Sequence, residues 1–336
     1  MRTTLVVAAA AGLLIGSTLT ACSSSDAPQA DAHLSLTYLQ KQGDQGYFVS
    51  EAAGAKARAA QLGVDLKVVN LGDTVERAVS EAQGAIDQHT SGLIVVVPDP
   101  SVGPQLVQEA KAGKVPLLSS DDQICSVAPD PQACAHQNLV PRIGFSSEQL
   151  GGEVGKRAAA EYKKAGWNPA DTRIIEAWKS DVTVCGERVA AAASAFAGDA
   201  GQLRTVDVNT DNTPSGAQAK VAAALAANPG VKHWVVWGCN DENVQGAITA
   251  LSAAGVAADN VIGVGLGAYL ACQDWATGKP TGMRAALFIN GGDVGALAVQ
   301  TMVDHLRTGK PFPQEAFAPT TMVDPSNWTT SGLTCS

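Results

Sequence analysis

From residue 33 the chain alternates short apolar runs with longer Ala-rich stretches whose apolar positions recur at helical spacing. Strand-length runs fall at 34–39, 66–71 and 93–97, and the stretches 47–62, 74–89 and 102–112 between them predict helices. A fourth strand, within Lys114–Gln123, ends in two small hydroxyls and the adjacent acids Asp121 and Asp122. Cys125, Pro129, Pro131 and Cys134 then interrupt the chain, so no helix follows directly. Beyond them the rhythm restarts. Strands are expected at 143–145, 174–178, 203–208, 233–237 and 261–264, and helices at 148–165, 187–197, 215–227 and 240–254. Repeated strand–helix alternation implies parallel sheets covered by helices, and two successive sets imply two α/β lobes. The remaining elements, at 269–276, 283–288 and 295–306, are too few for a third domain and return to complete the two lobes.

The first residues change the picture of where the chain works. Arg2 precedes an apolar run from Leu5 to about Leu19, which is too short for a spanning helix and reads as a secretory leader. It ends in Leu19-Thr20-Ala21-Cys22, which looks like a bacterial lipoprotein box with Cys22 as the lipid-bearing residue. The Ser- and Asp-rich run after it has the composition of a flexible tether. The expected organisation is therefore a leader at 1–21 and a tether at 22–32. One lobe takes 33–143 with 264–290, the other 144–263 with 291–323, and 324–336 forms a tail.

Charge and cysteines narrow the function. The net charge is −9, and no basic patch survives that would suit nucleic acid. Seven cysteines include Cys22, and six thiols in an exported chain point to disulfides. Proximity favours Cys125 with Cys134; Cys239 with Cys272 and Cys185 with Cys335 are the further expected pairs. No Cys-x-x-Cys and no paired histidines occur, so neither a metal nor a cofactor is called for.

Polar side chains gather just past the expected strand ends: Lys41 and Gln45, Asp121 and Asp122, Arg188, Asn212, and Asn240. In open α/β sheets those ends meet the ligand. Carboxylates that accept, cations that donate and amides that do both match neutral polyols, whose hydroxyls each give and take. Tyr47, Phe48, Phe145, Trp178 and Trp237 are the aromatics expected nearest that cleft, as stacking faces for a sugar. Each residue alone has a plainer role: a surface lysine, a helix-face ion pair for Arg188, an N-cap for Asn240, core packing for Trp237. Asp121 and Asp122 do not make a glycosidase pair, because neighbours in a strand point to opposite faces. Neither a nucleophile elbow nor a phosphate-binding loop occurs.

The blocks Leu-Gln-Lys-Gln at 39–42, Val-Pro-Asp-Pro at 97–100, Ser-Asp-Asp-Gln at 120–123, Val-Lys-His-Trp at 231–234 and Gly-Cys-Asn-Asp at 238–241 resemble the periplasmic sugar-binding proteins of ABC importers. Within that family they lie nearest its arabinose-binding members. The resemblance implies a type I periplasmic binding protein fold, with crossings near Ile143-Gly144, Gly263–Gly265 and Asn290-Gly291. It implies a monomer that closes on a monosaccharide and delivers it to an ABC permease, attached to the membrane by its lipid alone. The implied ligand is an L-arabinose-, D-galactose- or D-fucose-like aldose, with ring form open. Carried over by residue, Lys41 donates to sugar oxygens and Asp122 accepts at the anomeric end beside Asp121. Arg188 bridges ring oxygen and hydroxyl, Asn212 and Asn240 each give and take, and Tyr47 stands at a stacking position next to Phe48. The chain departs from the pattern at Gln45, where the arabinose-binding members carry an acid, and at Phe145 and Cys239, where they carry Met. A sugar-sensing receptor component and a carbohydrate-active enzyme are the alternative readings. A sugar-responsive repressor would need an amino-terminal helix-turn-helix where this chain has an export leader.

Overall fold

The computed structural model describes residues 33–121, 124–125, 130 and 142–335. The leader, the tether, Cys22, Asp122 and Cys134 lie outside the described residues. The first sheet contains β1 (Ser35–Lys41), β2 (Asp65–Gly72), β3 (Gly92–Val95), β4 (Leu117–Ser120) and β5 (Arg142–Gly144), with β11 (Glu315–Phe317) added late. Its order is β11-β5-β4-β3-β1-β2 and every pairing is parallel. β3 and β4 are buried at all four of their positions, as a parallel strand covered on both faces must be. Helices α1 (Gly46–Leu62), α2 (Val75–Asp87) and α3 (Gly103–Gly113) connect the strands. Gly63, at φ 65°, closes α1 in the left-handed conformation that suits glycine.

The second lobe repeats the plan. α4 (Ser147–Ala165) leads to β6 (Thr172–Trp178), α5 (Thr183–Ala200), β7 (Arg204–Asn209), α6 (Pro214–Ala226) and β8 (His233–Gly238). α7 (Asp241–Ala253), β9 (Val261–Gly267), α8 (Ala271–Ala276), β10 (Met283–Ile289) and α9 (Gly291–Thr308) follow, and then β12 (Thr320–Val323) after β11. The sheet order is β12-β10-β9-β8-β6-β7, parallel except for β12, which runs antiparallel to β10. In both sheets the order reverses around the first strand, so each lobe has one switch point: β1/β3 in the first, β6/β8 in the second.

The expected division of the late elements is reversed. Residues 264–290 supply β9, α8 and β10 of the second sheet, where Met283–Phe288 pair with Gly263–Gly267. α9 instead covers the first sheet, because Ala298, Val299, Met302 and Val303 join Leu36, Tyr38, Ile94 and Leu118 in one core. The chain therefore passes between lobes after β5, at Asn290, and at 318–319 between β11 and β12. The crossing expected at Gly263–Gly265 is interior to β9. The tail is not separate either: Trp328, Leu333 and Cys335 pack on the second lobe's core.

The cysteine pairing also differs from expectation. Cys185 bonds Cys239, with Cα atoms 4.8 Å apart, and Cys272 bonds Cys335 at 5.8 Å. α5 starts at Thr183, earlier than the expected 187, and this sets Cys185 beside the end of β8. Val182 at its N-cap offers no side-chain hydrogen bond, so the sequence carries no start signal there. Cys125 is disulfide-bonded, while Cys134, its expected partner, is outside the described residues.

α1 and α9 approach closely enough that a Cβ on Gly295 would stand 2.0 Å from the Glu51 carbonyl oxygen. Gly295→Val is expected to cost about 2–3 kcal/mol by overpacking and to lower Tm by about 5 °C. Thermal unfolding followed by circular dichroism checks this, and a shift under about 1 °C would show that the helices part easily.

No helix among the described residues is long and apolar enough to cross a membrane.

Candidate functional site

The carboxyl ends of both sheets border one cavity of about 280 Å³, lined by residues of both lobes. That is at the small end for ligand clefts, roughly 300–1,000 Å³. From the first lobe, β1 delivers Lys41 to the wall, and its Nζ lies 5.3 Å from the centre of the Phe48 ring. The turn after it brings in Gln45 and the first turn of α1 brings in Tyr47, edge-on to Phe48 at 5.0 Å. Asp121 leaves β4 at φ 64° while its N–H donates to the Ile143 carbonyl at 2.7 Å.

From the second lobe, Arg188 projects from α5 and is only 8% exposed. Its Nη1 donates to the Cys239 carbonyl at 3.4 Å, and its Nη2 stands 3.7 Å from Asp121 Oδ1 across the cleft. Asn212, at φ 63°, and Asn240, the N-cap of α7, are bound into one amide network. The buried Asn243 organises it: Nδ2 donates to Asn212 Oδ1 at 2.7 Å and to Asn240 Oδ1 at 2.6 Å, while its Oδ1 accepts from Thr210 at 2.6 Å. Asn240 Nδ2 also donates to the Asn212 carbonyl at 3.3 Å.

Lys41, Gln45, Tyr47, Phe48, Asp121, Arg188, Asn212 and Asn240 thus all line the cavity. Asp122 is outside the described residues. Phe145, Trp178 and Trp237 do not line it. Phe145 is 3% exposed in the second lobe's core, reaching the site only through Tyr47 at 6.5 Å. Trp237 is fully buried against Phe196, and its indole donates to Glu176 at 3.2 Å. Trp178 donates to Asp207 at 2.7 Å and lies against Gly186 of α5. Trp237 thus points into the layer between sheet and helix, while Trp178 is half-buried against the start of α5. Burial pushes Glu176, the acceptor for Trp237, up to about 7.

Several cleft residues were not expected. Glu242, in the first turn of α7, accepts from Gln45 Nε2 at 3.2 Å, a second polar contact between the lobes. Burial, then the charge of Asp241, raises its carboxyl to about 7. Asp241 is 2% exposed and accepts the backbone N–H groups of Leu270 and Ala271 at 3.0 and 3.1 Å. Burial raises its pKa against those bonds. Tyr269 also lines the cavity, and its hydroxyl donates to the Ile289 carbonyl at 3.1 Å beside the crossing at Asn290. Asp241 belongs to the Gly-Cys-Asn-Asp block at the end of β8, whereas Glu242 and Asn243 only continue it, and Tyr269 carries no signal in the sequence.

Behind Asp121 lies a buried layer. Ser120 Oγ donates to Glu51 Oε1, and Glu51 is fully buried. Burial, then the Asp121 charge, pushes Glu51 up to about 8. The wall therefore combines the cations Lys41 and Arg188, an acceptor in Asp121, and a set of oriented amides. Such a surface recognises a small uncharged molecule rich in hydroxyls. No cluster of metal-ligating side chains occurs among the described residues.

Two parallel-sheet lobes with a polar cleft at their switch points define the type I periplasmic binding fold, and residues 37–311 match the periplasmic binding protein domain family. The chain belongs to that family. It is 27% identical over 306 residues to the ABC transporter L-arabinose-binding periplasmic protein of Azospirillum brasilense, covering 90% of each chain. It is 24% identical over 259 residues to the L-arabinose-binding periplasmic protein of Escherichia coli K12, covering 76% of each. A periplasmic solute-binding protein of an Actinobacillus succinogenes ABC transporter, solved with bound D-allose, shares the fold. Its TM-score is 0.74 at 21% identity, over 88% of this chain and 99% of that one.

Proposed function

We propose that this protein is the sugar-binding component of an ABC importer, and that it holds a monosaccharide between its lobes. The observation that carries this reading is the convergence of Lys41, Asp121, Arg188, Asn212 and Asn240, from both sheets, on one small cavity. Two relatives named for L-arabinose binding, each aligned over most of its length, support an aldose of that kind. Lys41 and Arg188 donate to hydroxyl and ring oxygens, Asp121 and Asp122 accept, and Asn212 and Asn240 do both. Tyr47 and Phe48 supply the apolar wall. Binding, not turnover, is the role of this set. The sugar touches both lobes only when they are closed, so it stabilises the closed form that a permease receives. In this reading the chain works outside the cytoplasmic membrane as a monomer held by a lipid on Cys22.

Isothermal titration of the purified chain with L-arabinose, D-galactose, D-fucose, D-allose and myo-inositol tests the proposal. At least one aldose is expected to bind at a single site. If every member of the panel fails, the sugar reading is wrong.

A further inference from the structure

The two described disulfides do different work. Cys272–Cys335 fastens the tail to the second lobe's core and neither cysteine lines the cavity, whereas Cys185 and Cys239 both do. Cys185 lies in the first turn of α5, three residues before Arg188, and Cys239 immediately precedes Asn240. Their bond ties the helix that carries Arg188 to the turn that carries Asn240. The third strand-end turn reaches the same point, since Asn212 Nδ2 lies 3.5 Å from Cys185 Sγ.

The non-covalent contacts at Arg188 are weak by comparison. Its contact with the Cys239 carbonyl is 3.4 Å, that with Cys239 Sγ is 3.9 Å, and the Asp121 carboxylate on the other lobe is 3.7 Å away. Sulfur is a poor acceptor, and the carboxylate partner is withdrawn when the lobes separate. In an open lobe the long hydrogen bond to the Cys239 carbonyl stays, and the covalent link between α5 and the β8–α7 turn is what keeps that carbonyl within reach of the guanidinium. A site whose groups are already in place loses less entropy when ligand arrives.

We propose that the Cys185–Cys239 disulfide is a positioning element of the binding site, holding Arg188, Asn212 and Asn240 in their ligand-ready arrangement while the cleft is open. The part of this that concerns sugar affinity rests on the function proposed above. The part that concerns local order does not.

The test compares Cys185→Ala/Cys239→Ala with the control pair Cys272→Ala/Cys335→Ala in the full chain, well below the Tm of either. Without ligand, amide hydrogen exchange over 183–190 and 239–243 is expected to speed up in the first pair and not in the control. Titrated with L-arabinose and D-galactose, the first pair is expected to lose about tenfold or more in affinity, the control less than threefold. Arg188→Met should cost less affinity in the first pair than in the wild type, a coupling that a merely stabilising bond would not produce. Where the Ala pair does not fold, Cys185→Ser/Cys239→Ser gives the same comparison. Unchanged exchange at both segments, or equal affinity losses in the two pairs, would overturn the proposal. If wild-type protein binds neither sugar, the sugar reading falls and the exchange comparison alone decides the positioning role.

Discussion

Replacing Arg188 with Met is expected to weaken monosaccharide binding by roughly 30- to 1,000-fold, the equivalent of about 2–4 kcal/mol. The side chain is 8% exposed and stands 3.7 Å from Asp121 across the cleft, so its removal takes a charged donor from the proposed site and a cation from beside a carboxylate. Losing one partner of a buried, hydrogen-bonding charge pair commonly costs this much. Arg188→Lys restores the charge but not the planar fork, and recovers only part of the loss. Calorimetric titration with the tightest-binding aldose measures both. Affinity of the Met variant within threefold of wild type would remove Arg188 from the site.

Glu51→Gln should stabilise the protein in alkaline solution and do little in acid. In the folded chain Glu51 holds its proton up to about pH 8, against 4.5 for an ordinary glutamate. Between those values the native state binds a proton that the unfolded chain has released, so wild-type stability falls as pH rises. The accumulated loss approaches about 4–5 kcal/mol by pH 9. Glutamine keeps an acceptor for Ser120 and has no proton to lose. The two Tm curves should therefore nearly coincide at pH 4.5 and separate by about 5–10 °C at pH 9, with the variant above. Parallel curves across that range would show that Glu51 is ionised in the folded state throughout.

The parallel sheets and the first ring of cleft residues could be read from the chain because both follow from local order. Strand ends are marked by the switch from apolar runs to polar turns, and those turns carry Lys41, Asp121, Asn212 and Asn240. What escaped depends on partners distant in sequence. Asn243 looks like any polar residue in a helix until the turns carrying Asn212 and Asn240 fold onto it. Glu242 becomes a cleft group only through Gln45 of the other lobe. Trp237 sits at the end of an apolar strand, and whether its ring turns toward the cleft or under the helices is settled by Phe196 and Glu176. The rhythm of strand and helix is the same in both sheets, so it does not say to which lobe β10 and α9 belong. The stripe on α9 that matches the first core carries no local mark. Cysteine connectivity has the same character: six thiols admit 15 pairings, and the early start of α5 that selects Cys239 for Cys185 has no capping residue to announce it.

The three passages between lobes leave from β5, β10 and β11, which lie together at one margin of the two sheets. That margin is a spine, and β2 and β7 are the fore-edges of the two covers. In the closure proposed above, a few degrees of rotation at Asn290 and 318–319 would barely move the spine but would carry the fore-edges apart over the full width of six strands. The contacts Gln45–Glu242 and Asp121–Arg188 are the clasp that such an opening would undo, and a ligand would then enter and leave by the β2/β7 side without any strand having to break.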